Sequence, residues 1–334
     1  MVLRNYGEQL VLTEKEIPHA GKGEALVRIR ACGVCATDVK ITEGKGPRSR
    51  LPLVLGHEGA GEVVESGNDS TLRPGTRVVI HPHIYCGKCL NCIDGWENIC
   101  LDVKGSLGMT LDGCLEEYIV IREANLVPFK SDISFEEAAL AGGTVAVPVS
   151  AIRRLGSMLG KKTVVFGLGA LGFNAIQALK AVGAEVIALG RKKEKLEKAR
   201  MLGADYAIDT ENEGWLEEVM ASTGRVGADF VFDLAGSVAH VPELIRTLRR
   251  GGSLAIIGYS DDQISLPYQR IALDALKIIG SRSYTRNDLR LAVEMVETRR
   301  VRPLIDSTYP LEESNEAIDA TRRSGLMGRV VVKV

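Results

Sequence analysis

The pattern of hydrophobic and polar positions changes near residue 135 of this chain. Before that point, short apolar or alternating runs are separated by glycines and prolines, which is typical of strands in a barrel-like domain. Four of these runs are predicted as strands: Glu24 to Arg30, Gly61 to Glu65, Arg77 to His81 and Glu117 to Ile121. The first part of the chain is therefore predicted to be β-rich.

From Phe135 to about residue 282, continuous apolar runs alternate with amphipathic segments such as Leu171–Val182 and Lys193–Leu202. The apolar runs are predicted as strands: Thr163–Phe166, Glu185–Leu189, Tyr206–Ile208, Phe230–Phe232, Ser253–Gly258 and Lys277–Gly280. Such strands with helical crossovers form a parallel sheet covered on both faces. The predicted organisation is a nucleotide-binding domain, 144–283, inserted into a β-rich domain made of residues 1–143 and 284–334.

Length and charge narrow the functional classes. A chain of 334 residues favours two domains. Its 42 basic and 43 acidic residues give a net charge of −1, which offers no field of one sign for nucleic acid or an anionic membrane. We find no apolar run long enough to span a membrane and no signal core at the amino terminus, so a soluble, cytoplasmic protein is predicted.

A glycine-rich loop follows the predicted strand Lys162–Phe166 and opens a helix. It contains Gly167, Gly169, Ala170, Leu171 and Gly172. In this strand–turn–helix context the spacing predicts a Rossmann dinucleotide site, with the pyrophosphate at the amino terminus of the helix. The alternative is a glycine-rich turn without a ligand.

The end of the next strand favours NADP(H) over NAD(H). An NAD site usually places an acid there to bind the ribose 2′-hydroxyl, but this chain has Gly190 followed by Arg191. Arg191 could grip a 2′-phosphate, and Lys192 or Lys195 could add positive charge. The alternative is that these cations are only the solvated first turn of a helix.

Two groups of residues have the composition of metal sites. Cys86, Cys89, Cys92 and Cys100 suit a closed, structural zinc site, the alternatives being two disulfides or buried thiols. Upstream, Cys35, His57 and Glu58 supply the ligand types of an open, catalytic zinc site.

Residues near the second group could assist it. Asp38 could orient His57, and Thr37 could pass a proton toward solvent. A Cys32–Cys35 redox pair and a packed core role for His57 are the alternatives.

Three motifs, in this order, resemble those of zinc-containing medium-chain alcohol dehydrogenases. They are Gly33-Val34-Cys35-Ala36-Thr37-Asp38, Gly56-His57-Glu58-Gly59-Ala60-Gly61 and the four-cysteine lobe. The resemblance covers nearly the whole chain and ends with Gly328-Arg329-Val330-Val331. It implies a GroES-like catalytic domain carrying the zinc lobe, 86–100. It also implies that Cys35 and His57 bind catalytic zinc, Thr37 binds the substrate oxygen, and Glu58 can reach the metal.

The chain departs from this family at the third zinc ligand, usually a cysteine. That position falls on Gly142 or Gly143, neither of which has a side chain. Three outcomes stay open: zinc held by Cys35, His57, Glu58 and water; an empty site with a proton-donating side chain; or replacement by His81 or His83. Cys114 is not expected to be a ligand. Lys40 stands where the family often has a proton-relay histidine, and either a ribose contact or a solvent-facing position suits it.

The resemblance implies an NADP(H)-dependent alcohol dehydrogenase or ketone reductase. A zinc-independent enone or quinone reductase is the first alternative, because the third ligand is missing. A non-catalytic NADP-binding protein is the second. The expected partners are a small alcohol or ketone and further copies of the chain, with a homotetramer favoured over a dimer.

Overall fold

The computed structural model describes residues 1–46, 49–130 and 132–334. Its strands are β1 Val2–Leu3, β2 Glu24–Val34, β3 Leu53–Val54, β4 Glu58–Ser66, β5 Arg77–Ile80, β6 His83–Ile84, β7 Gly105–Ser106, β8 Tyr118–Arg122, β9 Leu126–Pro128, β10 Lys162–Phe166, β11 Glu185–Gly190, β12 Tyr206–Asp209, β13 Ala228–Asp233, β14 Leu248–Ile256, β15 Lys277–Gly280, β16 Ile305–Pro310 and β17 Arg329–Lys333.

The helices lie between these strands. They are α1 Ala36–Thr42, α2 Leu90–Ile93, α3 Phe135–Leu140, α4 Ala146–Leu155, α5 Ala170–Ala181, α6 Lys193–Met201, α7 Trp215–Ser222, α8 Val241–Arg246, α9 Tyr268–Leu273, α10 Arg286–Glu297 and α11 Ser314–Arg322. A π-helical turn, Ala141–Val145, separates α3 from α4. Short 3₁₀ turns cover Glu97–Ile99, Glu123–Asn125, Val238–His240 and Leu311–Glu313.

The chain forms two compact units. The first unit contains Met1–Ala146 and Tyr284–Val334, and the second contains Val147–Ser283. The sequence placed the first join after residue 143, and the structure has it after residue 146. The second join lies after residue 283 in both.

The second unit is a doubly wound parallel sheet. Its six strands follow the order β12-β11-β10-β13-β14-β15, and every pair is parallel. The central strands have the continuous apolar character the sequence predicted, and Val164, Ile187 and Val231 are fully buried. This strand order is that of the Rossmann fold, so the predicted fold class is confirmed for this unit.

The first unit is β-rich, as predicted. Its main sheet follows the order β16-β17-β2-β4-β5-β9, with β8 also paired to β2. Alternation between core and solvent is confined to the middle of β2, where Val27 and Ile29 are fully buried while Arg28 is exposed. β2 extends to Val34, four residues beyond the predicted strand, so the first cysteine motif begins inside the sheet.

One helical stretch is more apolar than the sequence analysis expected. Phe135–Leu155 is long and apolar enough to cross a membrane, and 78% of its most apolar window is buried inside the protein. Burial of this kind is typical of a core helix in a soluble protein, so the stretch is weak evidence for a membrane span.

Candidate active site

Neighbouring strands of the first unit bring the reactive side chains together. β17 pairs with β2 and β2 pairs with β4, with Gly33 opposite Glu58. Cys35 directly follows β2, His57 directly precedes β4, and Arg329 is the first residue of β17. Residues separated by almost the full length of the chain therefore meet at one end of three adjacent strands.

Cys35, His57 and Glu58 form a group of possible metal ligands. One donor atom from each residue lies within 4.8 Å of the donor atoms of the other two. A thiolate, an imidazole and a carboxylate with an open fourth position are a ligand set that suits catalytic zinc. The chemistry and spacing of these side chains therefore fit such an ion.

A buried carboxylate orients His57. Asp38, in α1, is fully buried, and its Oδ1 lies 3.2 Å from His57 Nδ1. Asp38 also accepts the backbone N–H groups of Cys35 and Gly56, at 2.8 and 3.2 Å. When Nδ1–H of a histidine is held by a carboxylate, Nε2 is left available to a metal. Asp38 therefore favours the tautomer of His57 that a metal site needs.

The contacts in this site also set its protonation. Burial disfavours the charged form of His57, but the Asp38 carboxylate and the Cys35 side chain together outweigh burial and raise the imidazole pKa well above its usual range. Burial likewise opposes the Cys35 thiolate, but the charge of Arg329 and a hydrogen bond with His57 lower the thiol pKa. Together these shifts favour a thiolate beside a protonated imidazole, and a divalent cation would take the place of that proton.

Two further residues that the sequence singled out, Thr37 and Lys40, lie in α1. The Thr37 hydroxyl is 3.8 Å from the Cys35 sulfur and is half-buried. Lys40 is half-buried, in the last turn of the same helix. The Thr37 hydroxyl therefore lies next to one of the possible metal ligands, and its contact with a substrate stays a prediction.

The carboxylate of Glu58 is held by Arg329. Arg329 Nε donates to Oε2 at 3.0 Å and Nη2 donates to Oε1 at 2.8 Å, and the two side chains are 2% and 12% exposed. Gly33 and Gly143 leave room for this carboxylate, because a Cβ added at either position would overlap it. Gly143 lies in the π-helical turn and is one of the two positions where the third ligand was expected. Glu58 thus fills the space in which a side chain at Gly143 would begin.

The two histidines considered as replacement ligands are bound elsewhere. His81 is fully buried, with Nε2 donating to the Tyr284 carbonyl at 3.1 Å and Nδ1 3.3 Å from the backbone N of His83. His83 Nδ1 lies 2.8 Å from the Ser106 hydroxyl. Neither joins the group of donor atoms in the part of the chain that the structure describes.

The remaining thiols of the first unit also lie apart from this group. Cys32 and Cys114 are fully buried, and their mutual hydrogen bond, together with burial, raises the pKa of Cys32 well above its usual range. The Cys32 sulfur also points to the Gly33 carbonyl, whereas the Cys35 sulfur faces Thr37. Cys32 therefore pairs with Cys114 rather than with Cys35, which argues against a Cys32–Cys35 redox pair.

The four cysteines of the lobe have the spacing of a tetrahedral zinc site. Their sulfurs are 3.5 Å (Cys86–Cys100), 3.5 Å (Cys89–Cys92), 3.8 Å (Cys89–Cys100) and 4.0 Å (Cys86–Cys92) apart. Zinc–sulfur bonds of about 2.3 Å give tetrahedral edges of about 3.8 Å. All four thiols are free of disulfides. The lobe therefore fits a closed zinc site.

Backbone N–H groups stabilise negative charge on the lobe. The N–H of Leu101 points to the Cys89 sulfur at 3.5 Å, and this contact, with one from the Cys92 backbone, lowers the pKa of Cys89 to about 6. The N–H of Cys89 points to the Cys86 sulfur at 3.3 Å. Part of the thiolate charge that zinc requires is therefore favoured before any metal binds.

The glycine-rich loop of the second unit has the predicted conformation. Gly167 has φ +103°, and an added Cβ there would press on the backbone of Ala235. Gly169 caps α5, and the space that its side chain would enter is open, as a closely approaching pyrophosphate requires. A Cβ at Gly172 would overlap the Gly167 carbonyl. Gly167 and Gly172 are therefore required by the packing of the loop itself, whereas Gly169 leaves space for a ligand.

The end of β11 disfavours an acid. A Cβ on Gly190 would lie 2.7 Å from Cδ1 of Leu168, a buried side chain of the glycine-rich loop. Asp209 stands opposite Gly190 on β12, but its carboxylate accepts the N–H of Glu211 at 2.9 Å. Arg191 directly follows the strand and is exposed. An acidic side chain at position 190 would therefore require Leu168 to move.

Sequence reasoning missed two residues of the first unit. Arg329 belongs to the closing motif of the family resemblance, and a basic residue that opens an otherwise apolar strand is a signal in the sequence. Tyr284 is the second. It is 4% exposed, and burial and the charge of Glu58 raise the pKa of its hydroxyl well above the usual range. No local sequence pattern marks this tyrosine, because the residues beside it in the fold, in the π-helical turn, are far from it along the chain.

Comparisons with known proteins agree with the fold. Residues 21–131 match the family model for the alcohol dehydrogenase GroES-like domain, and residues 170–298 match that for zinc-binding dehydrogenases. An alcohol dehydrogenase of Geobacillus stearothermophilus is 35% identical over 337 residues, covering 100% of this chain and 98% of the relative.

Solved structures give the same result. The crystal structure of an NAD-dependent alcohol dehydrogenase is 31% identical, with a TM-score of 0.90, and covers 100% of this chain and 98% of its own. A zinc-binding dehydrogenase from Sinorhizobium meliloti 1021, described as putative and bound to NADP, is 26% identical, with a TM-score of 0.91 and the same coverage. The chain is thus an oxidoreductase that belongs to the zinc-containing medium-chain alcohol dehydrogenase superfamily.

Proposed function

We propose that the protein is an NADP(H)-dependent alcohol dehydrogenase or ketone reductase with zinc held by Cys35, His57 and Glu58. The observation that carries this proposal is the group of three donors of different chemistry within 4.8 Å of one another. Zinc in this position acts as a Lewis acid on the substrate oxygen, and NADPH supplies the hydride.

The side chains of the first unit have distinct tasks in this proposal. Asp38 keeps a proton on His57 Nδ1 and leaves Nε2 for the metal, since their separation is 3.2 Å. The lowered pKa of Cys35 favours the thiolate form that a zinc ligand needs. The Thr37 hydroxyl, 3.8 Å from the Cys35 sulfur, hydrogen-bonds the substrate oxygen and passes a proton between it and solvent.

The preference for NADP(H) rests on the end of β11. Gly190 offers no carboxylate to repel a 2′-phosphate, and the buried Leu168 opposes placing one there. Arg191 binds the 2′-phosphate through paired, charge-assisted hydrogen bonds, and Lys192 and Lys195 add positive charge. In the same proposal, the four cysteines of the lobe bind a second, structural zinc.

One observation favours the zinc-independent enone or quinone reductase as a second candidate. Both oxygens of Glu58 accept hydrogen bonds from Arg329, at 3.0 and 2.8 Å. To bind metal, Glu58 must share an oxygen with Arg329 or move away from it. If Glu58 does neither, only Cys35 and His57 bind the zinc ion, which is then held weakly, and the substrate is reduced without zinc.

Metal analysis and reductase assays on one sample separate these candidates. We expect zinc in both the lobe and the Cys35 site, reduction of cyclic or aromatic ketones by NADPH, and loss of that activity on chelation. Zinc in the lobe alone, with activity that survives chelation, would replace the leading proposal by the second candidate. Tight NADPH binding with no turnover on any ketone would indicate a non-catalytic protein.

The cofactor preference has its own test in Arg191→Ala. Removing a charge-assisted contact costs about 1.5–3 kcal/mol, so KM for NADPH should rise roughly tenfold or more. The same variant assayed with NADH is the matched control, because NADH has no 2′-phosphate, and its KM should stay unchanged. An equal effect on both cofactors, or a wild-type preference for NADH, would contradict the assignment.

A further inference from the structure

The hydroxyl of Tyr284 is a buried polar group that the fold does not use. The residue is 4% exposed, and within the described residues its hydroxyl makes no hydrogen bond. Buried hydroxyl groups are nearly always hydrogen-bonded, so an exception needs an explanation. The oxygen is not among the fully enclosed polar atoms that lack partners. It therefore borders space open to a solvent-sized group.

This hydroxyl lies beside Gly142, one of the two positions on which the family's third zinc ligand falls. Tyr284 Oη is 3.7 Å from the position that a Cβ on Gly142 would occupy. Beyond burial, the negative charges of Glu58, Cys114 and Cys35 all act on the Tyr284 hydroxyl, and two of these residues are proposed metal ligands. A donor group thus stands next to one candidate position of the missing ligand.

The tyrosine is held rigidly by His81. Its carbonyl accepts His81 Nε2–H at 3.1 Å, and the two rings pack edge to face with centroids 5.1 Å apart. His81 is itself fixed, because its backbone N–H donates to the Asn125 carbonyl at 2.7 Å and its carbonyl accepts from Asn125 Nδ2 at 2.9 Å. Burial lowers the pKa of His81, so its ring stays neutral and keeps this arrangement at neutral pH. The position of the phenol ring is therefore fixed by these contacts.

We infer that the Tyr284 hydroxyl donates a hydrogen bond to the carbonyl oxygen of the substrate beside Cys35, His57 and Glu58. This inference rests on the proposed reductase function and adds a substrate-binding residue to it. A phenol has a pKa of about 10 and is a neutral donor at pH 7. A fixed donor aimed at an oxygen that gains negative charge lowers the barrier to hydride transfer. The hydroxyl needs no covalent step, because it donates and keeps its proton.

Tyr284→Phe removes this donor and nothing else from the ring. Tyr85→Phe is the matched control, because Tyr85 packs against the same imidazole but its hydroxyl already donates to the Ala124 carbonyl at 3.3 Å. We expect kcat for ketone reduction to fall about hundredfold to thousandfold in the first variant, the scale of losing one preorganised donor. Zinc content and affinity for NADPH should not change, and Tyr85→Phe should behave as wild type.

Two further measurements separate a catalytic contact from a structural one. The first is the absorption of 4-(dimethylamino)cinnamaldehyde bound with NADP⁺, which moves to longer wavelength as its carbonyl is polarised. The red shift should be smaller in Tyr284→Phe, both with zinc and after metal depletion. The second is the melting temperature, which should stay the same or rise, because an unpartnered hydroxyl contributes nothing to folding.

The outcomes distinguish this inference from the proposed function. An active Tyr284→Phe enzyme with the wild-type red shift and kcat would overturn the Tyr284 contact and leave the reductase proposal intact. A loss of stability together with an unchanged red shift would assign the hydroxyl a structural role and also overturn it. If the wild-type protein neither binds the aldehyde nor reduces any carbonyl with NADPH, both proposals fail together.

Discussion

Gly143→Ala tests whether the space beside Glu58 is reserved for its carboxylate. The added Cβ would overlap the carboxyl carbon and Oε1 of Glu58. These atoms cannot simply swing aside, because the carboxylate is fixed by its partners. Both carboxylate oxygens are held by Arg329, at 3.0 and 2.8 Å, and Glu58 is 2% exposed. The new methyl group therefore forces the carboxylate out of its ion pair.

The magnitude follows from two opposing effects. Alanine stabilises a helical position over glycine by roughly 0.5–1 kcal/mol. Breaking a buried ion pair costs about 3–5 kcal/mol, because it leaves charge without a partner. The loss of the ion pair is larger than the gain in helix propensity, so Gly143→Ala should destabilise the protein by about 2–4 kcal/mol. Gly142→Ala is the matched control in the same turn. Its Cβ would approach a methyl group of Val79 at 3.2 Å, so its effect should stay within about 1 kcal/mol.

Equilibrium urea unfolding followed by circular dichroism measures these differences, and zinc analysis of the same samples reports the metal site. We expect Gly143→Ala to lower both stability and zinc content at the Cys35 site. In a Glu58→Ala background the same substitution should cost much less, giving a coupling energy of about 2 kcal/mol between the two positions. Equal stabilities for Gly142→Ala and Gly143→Ala, or additive effects with Glu58→Ala, would refute the steric argument.

Two further predictions concern the metal ligands. After metal depletion, the rate at which Cys89 reacts with iodoacetamide should rise with pH around an inflection near pH 6, because its pKa is about 6 and the thiolate is the nucleophile. Restored zinc should protect Cys89 from this reaction. An inflection near the ordinary thiol pKa of about 8.5 would contradict the prediction. Asp38→Asn keeps an acceptor but removes the charge that holds His57, so zinc affinity at the Cys35 site should fall about 10–100-fold in chelator competition. Asp112→Asn, which likewise loses a carboxylate that accepts a backbone N–H (from Val54, at 2.9 Å), should have no effect on that site.

Local patterns were sufficient to predict the parts of the structure that are local. The alternation of apolar strands and helices located the parallel sheet, and β15 has the predicted bounds, Lys277–Gly280. The glycine spacing of the nucleotide loop and the cysteine spacing of the lobe each lie within one short segment. Their geometry could therefore be inferred from spacing alone, without knowledge of the rest of the chain.

The surroundings of the third-ligand position could not be predicted in this way. The sequence shows that Gly142 and Gly143 lack side chains, but not what fills the space. The space is filled by the side chain of Glu58, at the start of β4, which pairs with Arg329, at the start of β17. The two residues meet because both strands pair with β2. The sequence alone indicates only that a zinc ligand is missing at this position, because the residues that occupy the space are far away along the chain.

In the structure the space beside Gly143 is occupied by the Glu58 carboxylate. A cysteine at residue 143 would need the volume that Glu58 occupies here, so Glu58 would have to move to admit it. Gly33, on the opposite strand, clears the other side of the same carboxylate. Two glycines in distant segments that both make room for one side chain indicate that the placement of Glu58 is a feature of this fold. Gly143→Cys should therefore not create a tighter zinc site: the new side chain must displace Glu58 and leave Arg329 without its ion-pair partner, and the protein should bind less zinc than wild type.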